Sequence, residues 1–248
     1  MVSSRAVLSA VTPPPDLVLA YGSGPERVAD VRIPQGSGPH PLVLVIHGGY
    51  WRAKYDRSHL GPMCVDLTAR GYLTCAPEYH RAGHDDGGWP GTFVDVAAAV
   101  RILPTLLGEL VAPQQVILVG HSAGGHLALW AASAHRASPD RPGHHREPLP
   151  VRGVLSLAGV CDLTAAARHG LDGNAAQALM GGGPGELPEE YRAADPMRLL
   201  PSGVRTILLH GDADTLVPIE IAGAMPLRHA RPGMTPSSAS FPAPTTST

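Results

Sequence analysis

Apolar and polar positions along this chain follow two distinct rhythms. In DLVLAYG (16–22) and RVADVRIP (27–34) the character switches from residue to residue, as in strands with one wet face or an edge position. PLVLVIHGG (41–49) is instead a continuous apolar run closed by glycines, as expected of a parallel strand covered on both faces. YLTCAPEY (72–79), QVILVG (115–120), GVLSLAGV (153–160) and VRTILLHGD (204–212) share that character. Between them lie helix-like segments: SHLGPMCVDLTARG (58–71), TFVDVAAAVRILPTLLGEL (92–110) and GGHLALWAASAHR (124–136). Pro104 predicts a kink or restart in the second of these. Strands alternating with helices predict an α/β fold on a mostly parallel, doubly wound sheet, with ligands at the carboxyl ends of the strands.

Two stretches break the alternation. ASPDRPGHHREPLP (137–150) reads as a solvated loop, and its paired His144 and His145 lack the carboxylate or cysteine spacing of a metal site. Residues 162–202 carry weak helical signals around MGGGPGE, which leaves two readings, a small lid over a pocket or a long excursion. Residues 1–222 are expected to form one domain. The remainder, 223–248, is dominated by proline, serine and threonine; it is expected to lack the sheet's final strand and to stay disordered.

Composition narrows the function classes. The 248 residues suffice for one large core. With 16% charged residues and a formal net charge of −2, electrostatics favours neither nucleic acid nor an anionic membrane as partner. Cys64, Cys75 and Cys161 cannot all pair and show no metal spacing, so they read as buried small hydrophobes in a reducing compartment. The short apolar run in MVSSRAVLSAVTPPPD is too weak for a signal peptide, and no apolar run reaches a membrane span. A cytoplasmic location is therefore expected.

Three motifs carry chemistry. Gly120-His121-Ser122-Ala123-Gly124 joins the apolar strand VILVG to the helix GGHLALWAA, which would place a serine hydroxyl on a tight turn at a helix N-terminus. His47-Gly48-Gly49-Tyr50-Trp51 closes the earlier buried strand. A glycine-rich turn there can aim the N–H groups of Gly49 and Tyr50 at an oxyanion, with the N–H of Ala123 as a further donor. In this arrangement His47 braces the loop. His210-Gly211-Asp212-Ala213-Asp214 follows the last clear strand. Asp214, with Asp212 as the alternative, would orient a catalytic imidazole.

With these motifs in this order, the chain resembles the α/β-hydrolases over roughly residues 16–222. HGGYW, GHSAGGHLA and HGDADTLVP resemble the kynurenine formamidase and arylformamidase group and its esterase relatives. The resemblance implies a cofactor-free hydrolase acting on a small ester or formamide, N-formyl-kynurenine or an aryl or acyl ester. Tyr50, Trp51 and Trp89 would then form an aromatic wall, with His126 lining the pocket or packing behind it. It also implies a histidine beyond the acid, after a further helix and strand.

That histidine is hard to find, although the chain has thirteen. His229 stands too close behind Asp214 for both a helix and a strand to intervene, while His121 and His210 sit on strand ends and His126 on a helix. The genetic code suggests a cause. Gly233–Thr248 can be written in permitted codons whose shifted frame reads HDAELRVLPGADHFD, a strand followed by a loop bearing histidine. The restored histidine would straddle the codons of Thr245 and Thr246. A frameshift near residues 221–225 is therefore expected, natural or from sequencing error. A nucleotide sequence whose alternative frame encodes no strand and histidine would overturn it. Two rivals to an active esterase remain: a serine peptidase of the same fold, and a non-catalytic remnant or binding protein that kept the pocket. The oligomeric state is not legible.

Overall fold

The computed structural model describes residues 11–223 and 237–241. Its eight strands are β1 (Leu17–Ala20), β2 (Val28–Arg32), β3 (His40–Ile46), β4 (Leu73–Pro77), β5 (Val111–His121), β6 (Gly153–Leu157), β7 (Arg205–Gly211) and β8 (Ser237–Phe241). They form one sheet in the order β1-β2-β4-β3-β5-β6-β7-β8. β1 and β2 join antiparallel at one edge, as their alternating pattern predicts, and the rest run parallel.

The apolar runs divide their side chains between two cores because successive strand residues face opposite sides. Leu42, Leu44 and Ile46 of β3 enter the larger core, with α2 (Gly91–Leu107) and α3 (Ala123–Ser133). Val43 and Val45 enter a smaller one with Leu60 and with Cys64 of α1 (Gly61–Ala69). Both faces of the sheet are thus covered, and each fully buried Leu or Ile contributes about 2 kcal/mol. Cys64, Cys75 and Cys161 are buried and unpaired.

Two expectations are corrected. Pro104 neither kinks nor restarts α2, which continues through it to Leu107. Placed in the last turn, it removes only one helical bond, and the Gly108 N–H closes the end on the Pro104 carbonyl. The final strand is also present, since Ser237–Phe241 pairs in parallel with Ile207–Gly211. Pairing uses backbone groups rather than apolar side chains, and SSASF is a proline-free run between Pro236 and Pro242 with every N–H available to the β7 edge.

Residues 162–202 fold into α4 (Leu163–Arg168), α5 (Leu171–Met180) and α6 (Pro188–Ala194). Trp130 and His126 of α3 donate hydrogen bonds to the consecutive carbonyls of Ala193 and Ala194 at 2.9 Å each. These are carbonyls that the end of α6 would otherwise leave without partners. The excursion is thereby fastened to the helix that follows Ser122.

Candidate active site

The strand order reverses between β3 and β5: the chain leaves β3 for β4 on one side, then crosses back to β5 on the other. A crevice opens at the carboxyl ends of strands at such a point, and here it receives both the turn after β3 and the turn after β5.

β5 ends at His121 and α3 begins at Ala123, so Ser122 alone makes the turn, with φ 54° and ψ −119°. A non-glycine residue at positive φ is strained and is held only where its surroundings over-determine it. The Ser122 N–H donates to Leu157 O at 2.8 Å, and its carbonyl accepts from His126 N at 3.2 Å. A serine before a helix usually caps it through its oxygen, but this hydroxyl makes no capping bond to α3. The flanking glycines leave no room for a side chain. A Cβ on Gly120 would lie 2.1 Å from Gly124 O, and one on Gly124 would lie 2.0 Å from Ile46 O.

The loop after β3 lies directly against this elbow: a Cβ on Gly48 would come within 3.1 Å of Ser122 Cβ. Gly49 has φ 104°, and a Cβ there would stand 2.4 Å from that of Tyr55. Tyr50 and Trp51 follow, also at positive φ. Gly49 O accepts from Arg52 N at 3.0 Å, which closes the turn and points the Tyr50 N–H the opposite way. Ala123 opens α3, so its N–H has no partner within the helix. Gly48 thus lies against Ser122, with Gly49 and Tyr50 next along the same turn and Ala123 next along the chain.

The third motif separates the two acids. Asp212 is exposed. Asp214 is partly buried: Oδ1 accepts from Leu216 N at 2.9 Å and Val217 N at 3.0 Å, and Oδ2 lies 3.5 Å from His210 Nε2. Tyr50 ties the two loops together through a 3.2 Å bond from its hydroxyl to Leu216 O. Burial, followed by the charges of Asp172 and Asp214, raises the Tyr50 pKa. Burial lowers the basicity of His121, and the Asp214 charge opposes that shift.

Trp51 and His126, expected along the substrate pocket, are interior instead, at 1% and 0% exposure. Trp51 Nε1–H donates to His126 Nδ1 at 3.2 Å, and His126 Nε2–H donates to Ala194 O. Both ring nitrogens are engaged, so His126 is a neutral structural residue. Trp89 is partly buried with its ring edge-on to Phe93. Arg52 binds Asp172 at 2.7 Å and links the glycine turn to the left-handed residues Asp172–Asn174 of the excursion. His210 gives its Nε2 proton to Val217 O at 2.8 Å. His229 lies outside the described residues, as do Thr245 and Thr246.

Sequence reasoning missed Glu78. This buried carboxylate, just past β4, bonds His47 Nε2 at 2.7 Å and the Arg57 N–H at 3.0 Å. Burial works to raise its pKa, but His47, Arg81 and the Arg57 amide more than offset this and hold it below the usual value. The only trace in the sequence is a charge placed at the end of an apolar run.

Burial moves the His126 pKa from 6.5 down to about 4 against the smaller opposing effect of the bond to Ala194 O, and a proton on Nδ1 would in addition face the Trp51 N–H. The unfolded chain takes up that proton near pH 6.5, so the stabilisation is complete above this value and is lost as pH falls toward about 4. Unfolding free energy should drop by roughly 2 to 4 kcal/mol across that window. His59, also lowered to about 4, chiefly by burial, adds in the same direction. Urea titrations at stepped pH test this. His126→Gln keeps both hydrogen bonds without titrating and should shrink the fall; an unchanged fall would refute the assignment.

A mostly parallel sheet flanked by helices, with a strained serine elbow facing a glycine-rich turn, defines the α/β-hydrolase fold class. Within it the chain belongs to the BD-FAE family, whose profile matches residues 29–226. It is 26% identical over 191 residues to the probable carboxylic ester hydrolase LipM of Mycobacterium tuberculosis, covering 75% of this chain and 44% of that protein. It is 28% identical over 144 residues to the kynurenine formamidase of Danio rerio, covering 58% of this chain and 45% of that protein. The chain thus spans less than half the length of either relative. Among solved structures, it superposes on a truncated carbohydrate esterase from gut microbiota with TM-score 0.72 at 19% identity, over 91% of this chain and 86% of that one. An acetyl ester-xyloside bifunctional hydrolase from Caldicellulosiruptor lactoaceticus gives TM-score 0.72 at 20% identity, over 93% and 87%. Among the described residues no helix is long and apolar enough to cross a membrane, and no cluster of His, Cys, Asp or Glu is arranged to hold a metal ion.

Proposed function

We propose that the chain is a serine hydrolase that cleaves a small acyl ester or N-formyl amide through an acyl-enzyme on Ser122. The observation that carries this reading is the apposition of the Gly48 turn to a strained Ser122 whose hydroxyl is not used to cap its helix. Ser122 Oγ attacks the acyl carbonyl, and the oxyanion forms against the N–H groups of Gly49, Tyr50 and Ala123. Collapse expels the alcohol or amine with a proton, and water then releases the acid. Asp214 serves as the orienting carboxylate. The names of the relatives, an ester hydrolase and a formamidase, support the substrate class. The buried unpaired thiols support a reducing, cytoplasmic setting.

One observation favours a second reading, a remnant that binds but does not turn over. Oγ needs a base to accept its proton, yet His47 and His126, which lie on the glycine turn and on α3, have both ring nitrogens engaged elsewhere. The test compares the chain as it stands with a version carrying the shifted reading frame from residue 221. Both are treated with a fluorophosphonate, p-nitrophenyl acetate and N-formyl-kynurenine. Turnover in either version, lost in Ser122→Ala, supports the hydrolase. Folded but inert protein in both versions favours the remnant.

A further inference from the structure

We infer that His47 is held as a doubly protonated imidazolium whose Nδ1–H pins the Gly48 carbonyl, making it a positioning residue for the oxyanion turn. The inference deepens the hydrolase reading above and rests on it for its catalytic meaning.

The argument begins with Glu78. Apart from the His47 ring, every neighbour of its carboxylate is a fixed donor. Oε1 lies 2.7 Å from His47 Nε2, 2.7 Å from the Arg81 guanidinium and 3.1 Å from the Tyr79 N–H, while Oε2 faces the Arg57 N–H at 3.0 Å and the Arg57 guanidinium at 3.6 Å. The fixed donors among these help to offset burial and hold Glu78 below its usual pKa, so the carboxylate is ionised and His47 Nε2, facing its oxygen, must donate to it. The other ring nitrogen, Nδ1, lies 2.8 Å from Gly48 O, which can only accept. Tyr79 OH is 3.5 Å from Nδ1 but directs its proton to His47 O at 2.7 Å. With an acceptor at each nitrogen, the ring carries two protons. The charges also balance: Arg57, Arg81 and His47 stand against Glu78, Glu26 and Asp30, which pair with the two guanidinium groups.

The geometric consequence reaches the site. The Gly48–Gly49 peptide is trans, so its C=O and N–H point in opposite directions. Fixing the Gly48 carbonyl on the fully buried ring turns the Gly49 N–H away from the interior, on the loop that adjoins Ser122. Were Nδ1 unprotonated, its lone pair would face the carbonyl oxygen at hydrogen-bond distance, and the repulsion would favour flipping the peptide and losing that donor. The other groups facing the ring are Tyr79, stacked at 4.2 Å, and His59, edge-on at 5.8 Å. The charge of His47 adds to the burial that lowers His59. It also helps to hold Asp56 below its usual value, against the opposing and larger effect of burial.

The deciding experiment is a two-bond proton–nitrogen correlation spectrum of the full chain labelled in histidine, assigned by the signal lost in His47→Gln. Both His47 nitrogens should carry protons around neutral pH, since each faces an acceptor. A neutral ring with one bare nitrogen at that pH overturns the inference. In Glu78→Gln the ring should begin to titrate, and fluorophosphonate labelling of Ser122 should fall roughly 10²-fold or more as it loses its proton and recover on acidification. An equal loss at every pH would assign Glu78 and His47 a purely structural role and overturn the positioning claim. If Glu78→Gln does not fold, two His47 variants replace it: His47→Asn, whose amide N–H can stand in for Nδ1–H toward Gly48 O, should label Ser122 within about tenfold of wild type, whereas His47→Leu should lose roughly 10²-fold or more, and equal losses in the two overturn the claim. The spectrum needs no turnover, so an imidazolium in an inert protein would sink the hydrolase reading alone.

Discussion

Ser122→Ala is expected to abolish fluorophosphonate capture and to lower any ester or formamide hydrolysis by about 10³-fold or more, while leaving stability nearly unchanged. The pairing of these outcomes matters. A serine that caps a helix is worth about 1 kcal/mol over alanine. Ser122 makes no such bond to α3, and alanine retains the Cβ that the elbow already accommodates at φ 54°. The urea midpoint should therefore move by less than about 0.5 kcal/mol equivalent. Mass spectrometry of the labelled protein should place the adduct on the peptide containing Ser122. An adduct that survives in Ser122→Ala, or a large loss of stability without loss of labelling, would remove the serine from the chemistry.

The second large effect is on folding. Gly124→Ala should destabilise the protein by about 3 kcal/mol or more, although alanine is the better helix former by about 1 kcal/mol. The added methyl group would stand 2.0 Å from Ile46 O and 2.5 Å from His47 O. Both are backbone atoms that cannot rotate aside, so α3 must retreat from the end of β3. That retreat also draws Ser122 away from Gly48, and labelling of the fraction still folded should slow. Gly211→Ala supplies the control, since a Cβ there meets nothing within 4 Å. Chemical denaturation reads the outcome as a lower midpoint at unchanged slope for Gly124→Ala alone. Equal midpoints for the two variants would show that the elbow has slack.

Local rules made much of the architecture readable. Continuous apolar runs marked β3–β7 because strands covered on both faces admit few polar side chains, and alternation marked β2 because one of its faces is buried and the other partly wet, while β1 at the edge is largely exposed. The three motifs could be placed at strand ends because glycine at those points has few other uses. Three features were not legible. Glu78 is one charge after an apolar run, and its role depends on His47, Arg57 and Arg81 arriving from elsewhere in the chain. Trp51 and His126 looked like pocket residues because aromatic and imidazole groups near a motif serve either purpose, and only packing against Ala194 settles which. β8 was invisible because its pairing uses backbone groups, whereas pattern reading sees side chains.

By itself, the sequence determined the order of strands and helices, the elbow around Ser122 and the glycine turn at 47–51, since each follows from contacts between neighbours along the chain. Only the tertiary structure decided which aspartate is partly buried, which histidines are occupied and what braces the glycine turn. Those outcomes depend on groups far apart in sequence meeting where water is excluded. There, a donor or acceptor without a partner costs more than any local preference can restore.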